Sequence, residues 1–202
     1  MNPDEECDTY INEMKNILKS FDLEEYLNLS TDEQAQNNTS EEEVSSNYQL
    51  PRLEYLYESA NNISYFFEND VVDRANRKIN MPLMEGLGKV GHGVHLKNDV
   101  FHKLVFSKKA KTVLDKLGFE DVAVPQGMYI LKLARIGSPV APHVDATYLF
   151  NRKNDPTGIE VDPTKTLIGF WLALEDATPE NGCLCMAFAL RERVKKQNVK
   201  KS

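Results

Sequence analysis

Residues 167–174 read LIGFWLAL, a nearly continuous apolar run followed by the turn sequence ATPENG. A run of that length without polar alternation is the pattern of a strand buried on both faces. Such a strand needs neighbours at both edges and packing on both sides, which restricts the chain to layered sheet architectures.

The rest of the chain divides by texture. Residues 4–21 carry Ile11, Met14, Leu18 and Phe21 at helical spacing, with Asp4, Glu5 and Glu6 at the positive end of the helix dipole. Residues 28–47 are rich in Ser, Thr, Asn, Gln and Glu, which predicts a loop with too little apolar surface to pack. The segment 63–67, ISYFF, suits a strand, and 98–106 suits a turn or two of helix. Ser107 reads as the N-cap of KKAKTVLDKLG, with Ala110, Val113, Leu114 and Leu117 on one face and Gly118 as terminator. Strands are then predicted at 128–133 (MYILKL), at 143–150 after the Gly137-Ser138-Pro139 turn, at 167–174 and from 182 to 188. Helices first and antiparallel strands second give an α+β domain built on a β-sandwich or jelly roll.

Charge narrows the partners. The 202 residues carry a net charge of -7, so a general attraction to nucleic acid or to anionic membranes is not expected. Six Lys/Arg stand against one Glu from Arg191 to Lys201, which marks the end of the chain as a different kind of segment. Cys7, Cys183 and Cys185 form no disulfide framework and fit a reducing compartment. The Cys183-x-Cys185 pair lacks the second pair that a zinc site needs. With an acidic, polar N-terminus and no apolar run near the roughly 18 residues of a membrane span, the expected location is the cytoplasm.

Four histidines occur, and one lies in APHVDATYLF at 141–150. In a strand, His143 and Asp145 would share a face and offer an imidazole and a carboxylate to one point. They would supply two of the three ligands of a 2-His-1-carboxylate site for non-haem Fe(II), or form a hydrogen-bonded structural pair. His92 and His95 are spaced for zinc, but the flanking Gly91 and Gly93 indicate a turn, so a structural or pocket-lining role is expected. His102 is read as a half-buried helix residue.

GHGVH, GMYILK, PHVDATYLF and GFWLALEDATPENGCL follow one another in that order. Together they resemble the phytanoyl-CoA dioxygenase family of Fe(II)/2-oxoglutarate oxygenases. The resemblance begins near Glu5-Glu6-Cys7, includes YFFENDVVD at 65–73 and stops at about Leu184. It implies a double-stranded β-helix in which His143 and Asp145 bind Fe(II), while Lys89, Met128 and Trp171 contact the cosubstrate 2-oxoglutarate. It further implies hydroxylation of a substrate C–H bond with decarboxylation of 2-oxoglutarate to succinate, supported by ascorbate. The substrate is a small molecule that no feature of this sequence specifies.

This chain departs from the family pattern after GCL. No histidine follows Asp145, so the C-terminal iron ligand of the family is absent here, as is the arginine for the distal carboxylate of the cosubstrate. The expectation is a member truncated at both ends, with an incomplete double-stranded β-helix and N-terminal helices. Residues 1–27 form the helical segment, 28–50 the polar loop, 51–187 the partial dioxygenase domain and 188–202 a basic tail outside the family pattern. Activity is expected to be impaired, and an exposed sheet edge is expected to invite association with another chain. The alternative is a non-catalytic, partner-binding or regulatory form.

Overall fold

The computed structural model describes residues 3–30, 53–143, 145 and 167–185. Helix α1, Pro3–Leu18, has its acidic first turn where expected. Its buried stripe is Tyr10, Met14, Ile17 and Leu18, one step round from the predicted face, with Ile11 only half-buried. Asp22 then caps a second helix, α2, Leu23–Ser30, by accepting from the amides of Glu24 (2.8 Å) and Glu25 (3.1 Å). The polar loop expected from residue 28 therefore starts no earlier than 31. Tyr26 and Leu27 bury one side of α2, a short i, i+1 pair that the Asn- and Ser-rich sequence beyond it masked. The remainder of that loop, residues 144 and 146–150 of the strand predicted at 143–150, and the basic tail lie outside the described residues.

Helix α3, Leu53–Glu58, leads through a 3-10 turn, Ser59–Asn61, into strand β1, Ile63–Phe67, at the predicted bounds. A hairpin of β2, Val72–Asp73, and β3, Lys78–Ile79, follows, then the short helix α4, Leu83–Gly86, and strand β4, Leu87–His92. β4 is the centre of a three-stranded antiparallel sheet, order β1-β4-β5, in which β5 is Tyr129–Ile130. Ile63 faces His92, Phe66 faces Lys89, and on the other edge Lys89 faces Ile130. A register shift between Phe66 and Phe67 lets both phenylalanines be buried.

Aromatic rings bind the helices to this sheet. Phe21 meets Tyr65 (centroids 4.9 Å) and Phe67 (5.6 Å), Tyr26 meets Phe67 (5.2 Å), and Tyr55 meets Phe66 (5.8 Å), all edge to face. The Tyr55 hydroxyl accepts from the Tyr65 amide (2.8 Å) and donates to its carbonyl (3.2 Å), and burial raises its pKa. Gly93, just past β4, lies so close to the backbone of the 3-10 turn that a Cβ there would stand 2.6 Å from Asn62 N.

Three helices follow: α5, Val94–Lys97, α6, Asp99–Val105, and α7, Lys108–Leu117. Asn98 caps α6 through the amides of Val100 and Phe101, and its own amide donates to Glu13 of α1 (2.7 Å), joining the two helices. Ser107 caps α7 by accepting from Ala110 N (3.2 Å), and Gly118 ends it at φ 74°, both as read from the sequence.

The described architecture is mixed α+β with antiparallel sheets, and it does not display a double-stranded β-helix directly. Beyond α7 the strand expectations are corrected. Residues 167–174 are irregular, and Phe170 (55%), Trp171 (53%) and Leu172 (52%) are more than half exposed. An apolar run becomes a buried strand only where partners satisfy its backbone and cover its faces, and among the described residues none pairs with it. Only two residues of the expected 128–133 strand are ladder residues, because β4 pairs with β5 at Lys89 and Val90 alone. Residues 182–185 are likewise irregular, following a 3-10 turn at Pro179–Asn181 that realises the ATPENG turn.

Met14 is fully buried, so Met14→Ala should cost about 2–5 kcal/mol from lost burial and the remaining cavity. Ser107→Ala, at a half-buried cap, should cost about 1 kcal/mol. Urea unfolding midpoints check both values and their order.

Candidate metal and cosubstrate site

His143 follows the proline-containing stretch 139–142 in irregular backbone, and Asp145 has helical backbone, so the two do not share a strand as expected. A strand here would need a paired neighbour, and no pairing to either residue is present among the described residues. Their heads converge nevertheless, with His143 Nε2 3.1 Å from Asp145 Oδ1. His143 Nδ1 lies 2.8 Å from the carbonyl oxygen of Ala141. A carbonyl can only accept, so Nδ1 carries the proton and donates it.

That leaves Nε2 facing a carboxylate oxygen. Two lone pairs do not hold each other at this distance; a second proton on the ring or a cation between them resolves the conflict. Nitrogen and oxygen ligands at about 2.1 Å in adjacent octahedral positions stand about 3 Å apart, so the spacing suits both on one metal. The Nδ1–H to carbonyl contact is also the usual device for orienting a metal-binding imidazole. The pair fits two of the three protein positions of a facial triad. No group of three metal-ligating side chains is found among the described residues.

Lys89 sits in the middle of β4, where burial lowers its pKa. Its ammonium stands 4.5 Å from the centre of the Phe66 ring and 3.2 Å from His92 Nε2. His92 Nδ1 is 2.6 Å from Ser59 Oγ, and Ser59 donates to the Leu56 carbonyl at 2.6 Å. The His92 ring also meets Phe66 edge to face at 5.3 Å. Burial, with the Lys89 charge adding to it, pushes the His92 pKa down to about 4.

Met128 lies over Gly91, where a Cβ would come within 2.9 Å of Met128 Cγ, and it immediately precedes β5, which pairs with Lys89 and Val90. It is 42% exposed. Trp171 is exposed in irregular backbone. The structure thus brings His143 to Asp145 and Lys89 to the strand beside Met128.

His95 is buried, with Nε2 3.1 Å from the Val124 carbonyl and Nδ1 without a hydrogen-bond partner. This is the structural role expected for it. His102 is more exposed than the predicted half-buried residue, and its Nδ1 contacts the His95 carbonyl at 3.0 Å. The cysteines are free. A surface cleft of about 440 Å³ between α1, α6 and α7 is lined by Glu6, Thr9, Tyr10, Val100, Lys103 and Lys109, so none of the predicted site residues lines it. Sequence reasoning placed Phe66 in a strand but gave neither it nor Ser59 a role beside Lys89 and His92. Ser59 lies 33 positions from the ring it touches and belongs to no motif, whereas its place after the YLYE helix end gave no chemical signal.

His92 makes a testable contribution to acid sensitivity. Its folded pKa of about 4 lies below the ordinary 6.5, so the unfolded chain binds more protons between those values. Stability is therefore lost as pH falls from about 6.5 to about 4. In His92→Phe that part of the acid slope should vanish, as measured by denaturant unfolding at several pH values. NMR titration of the ring should give its midpoint near 4 in the parent.

A family model described as "Phytanoyl-CoA dioxygenase (PhyH)" matches residues 1–187. The chain is 36% identical over 130 residues to "Phytanoyl-CoA dioxygenase domain-containing protein 1 homolog" of Caenorhabditis elegans, covering 64% of this chain and 41% of the relative. It is 33% identical over 182 residues to "Phytanoyl-CoA dioxygenase domain-containing protein 1" of Danio rerio, covering 89% of this chain and 55% of the relative. With "Phytanoyl-CoA dioxygenase 1" of Oryza sativa subsp. japonica it shares 40% identity over 132 residues, covering 65% and 42%. The aligned part is thus about half of the relatives' length or less. On the match across nearly all of its residues, the chain belongs to the phytanoyl-CoA dioxygenase family.

Proposed function

We infer that this chain serves an Fe(II)- and 2-oxoglutarate-dependent dioxygenase, with His143 and Asp145 as metal ligands and Lys89 as the anchor for the distal carboxylate of the cosubstrate. One observation carries the reading: His143 Nε2 and Asp145 Oδ1 face each other at 3.1 Å while Nδ1 is committed to the Ala141 carbonyl. Family membership supports it. Iron and 2-oxoglutarate, when bound, would supply oxygen activation for hydroxylation of a C–H bond, with release of succinate and CO2.

The chain's own part in that chemistry is to bind and orient. Asp145 contributes negative charge and His143 a neutral nitrogen, a mixed set suited to a divalent iron. Lys89 offers an ammonium from a strand paired on both edges, so its backbone is fixed before any ligand arrives. Met128 would form an apolar flank of the cosubstrate pocket and Trp171 a further wall.

Between them His92, His95 and His102 already engage Ser59, Lys89 and backbone carbonyls, so among the described residues the proposed ligand set is one imidazole and one carboxylate. Metal affinity and turnover of this chain alone should accordingly be low. The test is an anaerobic Fe(II) titration followed by succinate measurement with 2-oxoglutarate and ascorbate. His143→Ala should weaken metal binding by about tenfold or more, at least the effect of losing an outer-shell partner. Metal binding indifferent to both His143→Ala and Asp145→Ala would instead support a non-catalytic, partner-binding chain.

A further inference from the structure

The hydroxyl of Ser59 has one proton, and the geometry shows where it goes. Ser59 Oγ lies 2.6 Å from the Leu56 carbonyl, which can only accept. The same Oγ is 2.6 Å from His92 Nδ1, so that second contact must have the imidazole as donor. A neutral His92 with its proton on Nδ1 has a bare lone pair on Nε2, and Nε2 is the atom 3.2 Å from Lys89 Nζ. The chain of donors therefore runs in one direction, from Lys89 to His92 to Ser59 to Leu56.

We propose that His92, oriented by Ser59, is a positioning residue that aims the Lys89 ammonium at the distal carboxylate of the dicarboxylate cosubstrate. The role rests on the dioxygenase reading above and specifies how its lysine is held.

A lysine in that role has a defect that the constellation corrects. Its flexible stem carries about 2 kcal/mol of rotamer entropy, and an ammonium is a poorly directional partner for a carboxylate. Here the head is held from two sides, by the Nε2 lone pair and by the face of Phe66, directly opposite Lys89 in the β1–β4 register. Phe66 also holds the His92 ring edge to face, so one buried side chain fixes both partners. A hydrogen bond to His92 uses one of the ammonium's three donors, and a neutral ring does not repel the charge. Ser59 is fully buried and its proton is committed to Leu56, which removes a nucleophilic role for this serine–histidine–lysine arrangement.

The full 202-residue chain is titrated with 2-oxoglutarate in the presence of Fe(II) under anaerobic conditions. His92→Phe, which keeps a ring against Phe66, and Ser59→Ala, which keeps the imidazole but removes its acceptor, should each weaken binding by about tenfold, the loss of one charge-assisted contact. His92→Gln, which restores an acceptor to Lys89, should recover most of that loss. The double variant Lys89→Ala/His92→Phe should bind no worse than Lys89→Ala alone, because His92 acts only through the lysine. Nitrogen-15 NMR of the ring should show the proton on Nδ1 in the parent and a shifted tautomer balance in Ser59→Ala. A proton on Nε2 in the parent, or additive losses in the double variant, would overturn the positioning role while leaving the dioxygenase reading intact. Absence of 2-oxoglutarate binding by the parent chain would overturn that reading, and the role with it.

Discussion

Strand β4 is hydrogen-bonded along both edges, to β1 over its length and to β5 at Lys89 and Val90, and the described structure is arranged around that pairing. Its sequence, LGKVGH, spends two of six positions on glycine, which lets Met128 and the neighbouring backbone close over it. Leu87 and Val90 are fully buried, so the strand anchors the core that the aromatic rings of Phe21, Tyr26 and Tyr55 extend toward the N-terminal helices. Helix α2 packs on β1 through Tyr26 and Phe67, whereas α1 meets α6 through Tyr10 and Phe101 and through the Asn98–Glu13 hydrogen bond.

The two halves of the candidate site differ in how they are held. Lys89 belongs to a backbone paired on both sides, with its head restrained by Phe66 and His92. His143 and Asp145 are exposed and held chiefly by the Ala141 carbonyl and by each other. On the proposed reading, the cosubstrate end, a lysine on a rigid strand, is preorganised, and the metal end, on a more open segment, is completed by what it binds.

What the sequence made legible was what local chemistry decides. Ser107, Gly118 and the apolar face of α7 specify a helix without reference to the rest of the chain, and ISYFF appears as β1 at its predicted ends. The run at 167–174 failed as a prediction because burial of a strand is a property of its neighbours, which no window of eight residues contains. For the same reason the His-x-Asp spacing found a pair that does meet, but for the wrong backbone: the heads converge without a strand pleat. The Ser59–His92–Lys89 series was invisible, since its first link spans 33 positions and depends on the 3-10 turn folding back against the end of β4.

That return of the 3-10 turn onto β4 has a kinetic consequence. The β1–β4 ladder and the contacts of Ser59 join residues within about three dozen positions of one another, so they close short loops at little entropic cost. The amides of β1 and β4 belong to a local cooperative unit that can assemble before the segments at 127–143 and 167–185 are in place. Hydrogen exchange at these amides would then report the global opening of the molecule, whereas the exposed backbone around His143 would exchange through local openings. On the reading proposed above, Lys89 is thus built into a cooperatively protected part of the described structure, and His143 and Asp145 into an exposed segment that opens locally.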